Sequence, residues 1–291
     1  MFSDIYEGTI FRPPSEAYSL IIQATIGCSW NKCTFCIAFQ EKEFRAKTLD
    51  ELKLDVEKVY PYYKDTPRIF LADGNALCLP TDVLVGMLEY LYSTFLKLER
   101  ISIYGGPLDI MQKSHEELVR LKDAGLGIVY FGLESGSDQV LRRVKKGATS
   151  KMMIETGRKV RNAGLKLSTI FILGLGGMEL TEEHAHETAR VVSAQDPEYA
   201  AALTLMVRPN SEIIEDVKSG NLTLLKPDEA LVELRTMVQE IDVTDSIFRA
   251  NHASNYATIG GTFPKDKQKV LDQIDRALGT GHFKSEFYRR L

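Results

Sequence analysis

From residue 20 to residue 207, short β-branched apolar runs alternate with longer amphipathic stretches, and this rhythm is the feature that most constrains the fold. A strand that reads as an unbroken apolar run is buried on both faces, as happens when helices cross over a parallel sheet. The strand candidates are residues 20–25, 68–72, 101–105, 127–132, 167–173 and 201–207. Between them, LDELKLDVEKVYPYY, PTDVLVGMLEYLYSTFLKL, SHEELVRLKDAG and SKMMIETGRKVRNAG place apolar residues three and four apart, the period of a helix laid on a sheet. Thr48 with Glu51 and Ser114 with Glu117 have capping-box spacing, and the last two stretches end in Ala-Gly, a C-terminal cap signal. Six βα units are expected. After residue 207 the rhythm stops: a loop with a short helix, the helix PDEALVELRTMVQEI, a strand-like SIF, a polar stretch and a terminal helix follow. The expected organisation is an N-terminal extension (1–18), a (βα)6 core (19–209) and a C-terminal extension (210–291) packed against that core.

With 291 residues and 44% hydrophobic content, the chain buries a sizeable core. A net charge of −4 argues against a broad nucleic-acid surface. No stretch approaches the roughly 18 apolar residues of a membrane span, and the N-terminal residues lack the pattern of a secretory signal. A cytoplasmic protein is expected, in a compartment where clustered cysteines serve as metal ligands or reactive thiols and not as disulfides.

Three of the four cysteines, Cys28, Cys33 and Cys36, fall in IGCSWNKCTFC, directly after the first strand candidate. Thiolates bind soft metals, and Cys-x4-Cys-x2-Cys suits an iron–sulfur cluster with one open iron better than a structural zinc site, which takes four protein ligands. Two other readings stay open. A zinc ion would need a distant His115, His184, His186, His252 or His282 as fourth ligand, and the thiols would otherwise be unligated and buried. Cys78 stands apart in NALCLP.

The cysteine triplet in the loop after the first strand, Phe35 before its last cysteine and the βα repeats that follow resemble the radical S-adenosylmethionine superfamily. The spacing usual in that family has one residue fewer between the first two cysteines. YFGLESGSDQVLRRVKKG resembles the fourth-strand signature of its Elongator subunit 3, methylthiotransferase and nitrogenase-cofactor branch, and FRAKTLDEL resembles members joined to cobalamin-binding domains. The resemblance covers about residues 19–209 and implies a partial (βα)6 TIM-like barrel with a small C-terminal α/β extension. It implies one [4Fe-4S] cluster on Cys28, Cys33 and Cys36, with S-adenosylmethionine on the iron that lacks a thiolate. Reductive cleavage of that cofactor gives a 5′-deoxyadenosyl radical, which abstracts hydrogen from substrate. A flavodoxin- or ferredoxin-type electron donor is implied as well. The methylthiotransferase and auxiliary-cluster classes use further cysteines, so a single cluster is expected here.

By the same resemblance Asp73, Gly74 and Asn75 stand where the family often has Gly-Gly-Glu beside the methionyl amine. Glu134 and Ser135 are expected at the cofactor's polar groups, and Lys145, Lys146 or Arg158 at its carboxylate. Gly174 opens the GLGG turn beside adenine, and Met206 and Val207 supply a sixth-strand backbone contact. Phe44 and Arg45 are expected to flank the cluster.

In the tail, Arg249, Asn251, His252, Ser254, Asn255 and Tyr256 form a dense polar stretch, read as a wall of a substrate pocket. Arg249, Asn251 and Asn255 are the substrate-binding candidates, with His252 or Tyr256 as proton donor or radical relay. The reading is an enzyme acting on a small molecule. A tRNA- or protein-modifying enzyme of the same family is the alternative, and a zinc-stabilised binding module is the alternative of another class.

Overall fold

The structure is a computed structural model that describes residues 5–289, arranged as two compact units. The first comprises Met1–Asn31, Cys36–Phe131 and Lys159–Lys166; the second comprises Lys32–Phe35, Gly132–Arg158 and Leu167–Leu291.

In the first unit β1 (Leu20–Gln23) leads into β2 (Thr25–Ile26), and β2 pairs antiparallel with β3 (Arg45–Ala46), so that the intervening cysteine loop is closed at its base. Then come α1 (Leu49–Tyr63), β4 (Arg68–Ala72), α2 (Thr81–Thr94), β5 (Arg100–Gly105), α3 (Pro107–Gln112), α4 (His115–Asp123) and β6 (Leu126–Glu134), whose last three residues count with the second unit. β1 pairs parallel with β4, β4 with β5 and β5 with β6. The strands are buried on both faces, as their unbroken apolar character requires. Both capping boxes form: the Thr48 and Ser114 hydroxyls accept from the Glu51 and Glu117 amides, and each glutamate accepts from the cap residue's own amide. Gly125 ends α4 at φ +104°, where a Cβ would lie 2.1 Å from the Tyr92 ring.

The second unit holds α5 (Asp138–Arg143), α6 (Ser150–Asn162, its last turn in the first unit), β7 (Lys166–Leu173), α7 (Thr181–Gln195), β8 (Tyr199–Thr204), α8 (Ile214–Lys218), α9 (Pro227–Glu240), β9 (Ser246–Ala250), β10 (Ile259–Phe263) and α10 (Lys267–Thr280). β7 pairs parallel with β8 and β8 with β9, while β10 turns back antiparallel on β9. The extension expected after residue 209 thus adds two strands beside β8, and Phe248 and Phe263 stack across them at 5.1 Å. Several boundaries differ from the sequence expectation: β6 runs two residues further than expected, and β8 starts two residues earlier. The first strand breaks at Ala24, α2 stops at Thr94, and β8 ends at Thr204, leaving Met206 and Val207 beyond the strand that was expected to contain them. The α3 and β10 segments had no apolar period to reveal them. Among the described residues no helix is long and apolar enough to cross a membrane.

Glu16, in a 3-10 turn (Pro14–Glu16) ahead of β1, is fully buried. Its carboxylate accepts from Arg100 Nη2 at 2.8 Å, Ser102 Oγ at 3.0 Å, Tyr130 Oη at 2.6 Å and Ser19 Oγ. A buried charge persists only with such partners, and these tie the N-terminal segment to β5 and β6. Glu16→Ala would leave the buried Ser102 hydroxyl and the half-buried Arg100 guanidinium without their carboxylate and Tyr130 with Ser15 alone, and is expected to cost roughly 3 kcal/mol in urea unfolding. Glu7→Ala, which removes an exposed partner of Arg45, is expected to cost about 0.5 kcal/mol.

Candidate active site

Gly27, at φ +72°, turns the chain out of β2 into the loop that carries the cysteines. None of the four cysteines is in a disulfide, and each is partly exposed. Asn31, third of the four residues between Cys28 and Cys33, takes φ +41°, a left-handed conformation that asparagine tolerates, and its Nδ2 donates to the Phe39 carbonyl at 3.0 Å. The Lys32–Phe35 segment is held in the second unit by Thr34, whose amide donates to the Val144 carbonyl at 3.1 Å and whose carbonyl accepts from Ile213 at 2.9 Å. Phe35 packs there against a cluster of Val140, Val144, Leu175, Ile213 and Leu222.

The Asp73-Gly74-Asn75 turn at the end of β4 lies directly under the start of the cysteine loop. A Cβ on Gly74 would stand 2.3 Å from the Gly27 carbonyl oxygen and 2.6 Å from the Cys28 Cα, so only glycine admits this approach. Asp73 is fully buried; its Oδ2 accepts from Lys42 Nζ at 2.7 Å and, at 3.3 Å each, from the Gly27 amide and Gln23 Nε2. Its Oδ1 has no hydrogen-bond partner. Asn75 accepts from the Ser29 amide at 3.0 Å and donates to Ser29 Oγ at 2.6 Å and Asp109 Oδ2 at 2.5 Å. Cys78 stands near Cys28 and Asp109; burial, reinforced by those two neighbours, pushes its thiol up to about 12, so it is protonated. Burial likewise holds the Asp109 carboxyl above its ordinary range and Lys113 below its own.

In the second unit Glu134 ends β6 at φ +63° and its Oε1 meets Lys146 Nζ at 2.8 Å, both side chains nearly buried. Gly132 leaves room for them, since a Cβ there would lie 2.2 Å from Glu134 Oε1. Ser135 Oγ bonds His184 Nδ1 at 2.7 Å and accepts from the Ser137 amide at 3.0 Å. His184 Nε2 lies 3.0 Å from the Ile172 carbonyl. Gly174 turns at φ +76° and its amide donates at 2.7 Å to Glu233 on α9, which also accepts from Thr181 Oγ1 at 2.6 Å. Arg158 is engaged elsewhere, its Nε donating to the Ala194 carbonyl at 2.7 Å, and Lys145 pairs with Glu212. Met206 and Val207 follow β8, with Val207 against the Phe35 cluster.

Of the tail residues, Asn255 is locked between Thr204 Oγ1 (2.9 Å) and the Ala202 carbonyl (2.8 Å), while Arg249 Nη1 donates to the Phe248 and Gly261 carbonyls at 2.7 and 3.1 Å. Asn251 is exposed just past β9. His252 accepts at Nδ1 from the Ser254 amide at 3.1 Å, and Tyr256 lies under the Arg289 guanidinium at 3.7 Å with its hydroxyl on Glu286. These residues lie on one strand–loop segment, and every one but Asn251 is engaged in the local structure.

Sequence reasoning had not singled out Lys42, Ser29 and Asp109. Arg45, read as a flank of the cluster, instead makes exposed pairs with Glu7 and Glu51, and Phe44 is partly exposed. Among the described residues no three His, Cys, Asp or Glu stand together at metal-holding distance. By chemistry the loop nevertheless fits a soft-metal cluster: three thiols uncommitted to disulfides, reachable from solvent, on a loop seated on a glycine.

Residues 22–192, more than half of the chain, match the sequence profile of the Radical SAM superfamily. The chain belongs to that superfamily. Proteins of the radical SAM superfamily are enzymes that use a [4Fe-4S] cluster and S-adenosylmethionine. Among its curated relatives are an uncharacterized methyltransferase of Pyrococcus horikoshii, 23% identical over 70% of this chain and 43% of that protein, and the heme chaperone HemW of Bacillus subtilis, 23% identical over 78% and 61%. The chain therefore spans less than two thirds of the length of each. Solved structures with the same fold include methylornithine synthase PylB (TM-score 0.55, 16% identity, 77% of this chain and 63% of that one). The methyltransferase TsrM of Kitasatospora setae is another (0.57, 17%, 74% and 44%). The partial barrel expected from the βα rhythm is the fold they share.

Burial, with Lys284 nearby, lowers the His252 pKa from its ordinary 6.5. The unfolded chain therefore takes up this proton first as pH falls, and stability declines below about pH 6.5 as the folded imidazole resists charging. Urea midpoints measured across about pH 5 to 7 should show that decline, and His252→Gln should flatten it.

Proposed function

We propose that this chain holds one [4Fe-4S] cluster on the thiolates of Cys28, Cys33 and Cys36 and acts on a small-molecule substrate by radical hydrogen abstraction. The observation that carries the reading is this set of three thiols, none in a disulfide, on the loop after β2 within the segment that matches the superfamily. When bound, the cluster supplies an electron and an open iron, and S-adenosylmethionine supplies the 5′-deoxyadenosyl radical.

The chain's own residues bind and orient. The unpartnered Oδ1 of Asp73, in the turn against Cys28, is an acceptor for an ammonium group such as the methionyl amine. Lys42 holds the other oxygen, Oδ2, at 2.7 Å and so leaves Oδ1 for that contact. Glu134 and Lys146 offer a carboxylate and an ammonium at the end of β6, where active sites of this architecture collect. The Gly174 turn, held by Glu233, is the seat for adenine. The polar segment from Arg249 to Tyr256, already hydrogen-bonded locally, forms a firm wall against which a substrate can be oriented.

Anaerobic reconstitution with iron and sulfide, followed by reduction with S-adenosylmethionine present, should yield a brown protein that releases 5′-deoxyadenosine. Alanine at Cys28, Cys33 or Cys36 should abolish both, whereas alanine at the exposed His186 should change neither. A colourless wild-type protein that binds one zinc and no iron would overturn the reading.

A further inference from the structure

We infer that Ser29, Asn75 and Asp109 form a clamp that positions Cys28. The inference rests on the reading of Cys28 as a cluster ligand.

The hydrogen-bond inventory of Asn75 supports it. A carboxamide has two N–H donors and one carbonyl oxygen. One donor goes to Ser29 Oγ at 2.6 Å and the other to Asp109 Oδ2 at 2.5 Å, while the oxygen accepts from the Ser29 amide at 3.0 Å. Both donors are spent, and the residue is 6% exposed. Asp109 is fixed in turn: its Oδ2 also accepts from the Gly106 amide at 3.2 Å, and its Oδ1 lies 3.5 Å from Ser29 Oγ. Three segments thus converge on the residue after Cys28: the end of β4, the start of α3 and the cysteine loop itself.

A second observation is independent of these bonds. The Cys28 Cα and Cβ would stand 2.6 and 2.8 Å from a Cβ on Gly74, so the backbone of Cys28 rests on the residue preceding Asn75. Contact from below and hydrogen bonds to Ser29 leave Cys28 little freedom beyond its own χ1. A ligating residue whose backbone is held in this way has its place in the loop set before metal arrives. Lone buried polar residues near a cluster loop would need only one satisfied bond each; here every donor of Asn75 points at the same two neighbours.

The test uses the full chain with and without its cluster. In cluster-free protein, iodoacetamide alkylation is followed at each cysteine by peptide mass spectrometry. Asn75→Leu should speed alkylation of Cys28 roughly tenfold while Cys36 keeps its wild-type rate, and Asp109→Asn should do the same to a smaller degree. After reconstitution, Asn75→Leu should retain less iron, and the reduced cluster should give an altered electron paramagnetic resonance spectrum. Wild-type alkylation at Cys28 in Asn75→Leu, or equal acceleration at all three cysteines, would overturn the clamp. Should Asn75→Leu fail to fold, Asp109→Asn is judged by the same two criteria. Wild-type protein that takes up no iron would sink the cluster reading instead, while the alkylation pattern still decides the clamp.

Discussion

Asp73 sits fully buried at the end of β4, where a carboxyl group loses water as a partner and must find donors within the fold. Lys42 meets that need at 2.7 Å, and it comes from the far side of the cysteine loop, six residues past Cys36. Its ammonium also donates to the Thr9 carbonyl at 2.5 Å. One buried ion pair thereby fastens the returning arm of the loop to the sheet and to the N-terminal segment. The Gly27 amide, at the outgoing arm, donates to the same carboxylate. With the β2–β3 ladder closing the base, the first unit's part of the loop is bound to the strand end beneath it.

The second unit solves the same problem with different residues. Glu134 stands on a left-handed backbone, and Lys146 neutralises it where Gly132 leaves space. Ser135 is satisfied by His184, and the Gly174 turn by Glu233 reaching over from α9. Helices from the C-terminal half therefore set the groups at the ends of β6 and β7. A buried polar network of this kind specifies one arrangement when every member is satisfied and is costly when one is not.

Much of this was legible beforehand. The two capping boxes are local, three-residue relations between side chain and backbone, and both form as the spacing predicts. The strands of the core are legible because burial on both faces demands uninterrupted apolar residues. β10, with IGGTF, escaped because its glycines carry no apolar alternation and its pairing partner, β9, lies nine residues back across the polar stretch. Lys42 escaped for another reason: in EKEFRAK one lysine looks like its neighbours, and only the fold decides which of them meets a buried carboxylate. Asn75 was found at the right turn, yet its two partners, Ser29 and Asp109, are 46 and 34 residues away.

What the sequence determined by itself is the class: a βα rhythm whose periods dictate strands covered by helices, with three cysteines close together along the chain after the first strand. Periodicity, capping and ligand type are set by residues a few positions apart, and such relations are read along the chain. What only the tertiary structure decided is which polar groups stand against the cysteine loop. Burial removes water as a partner and forces each of those groups to find another across the fold, so Asp73 is bound to Lys42 and Ser29 to Asn75 by contacts that no local pattern contains.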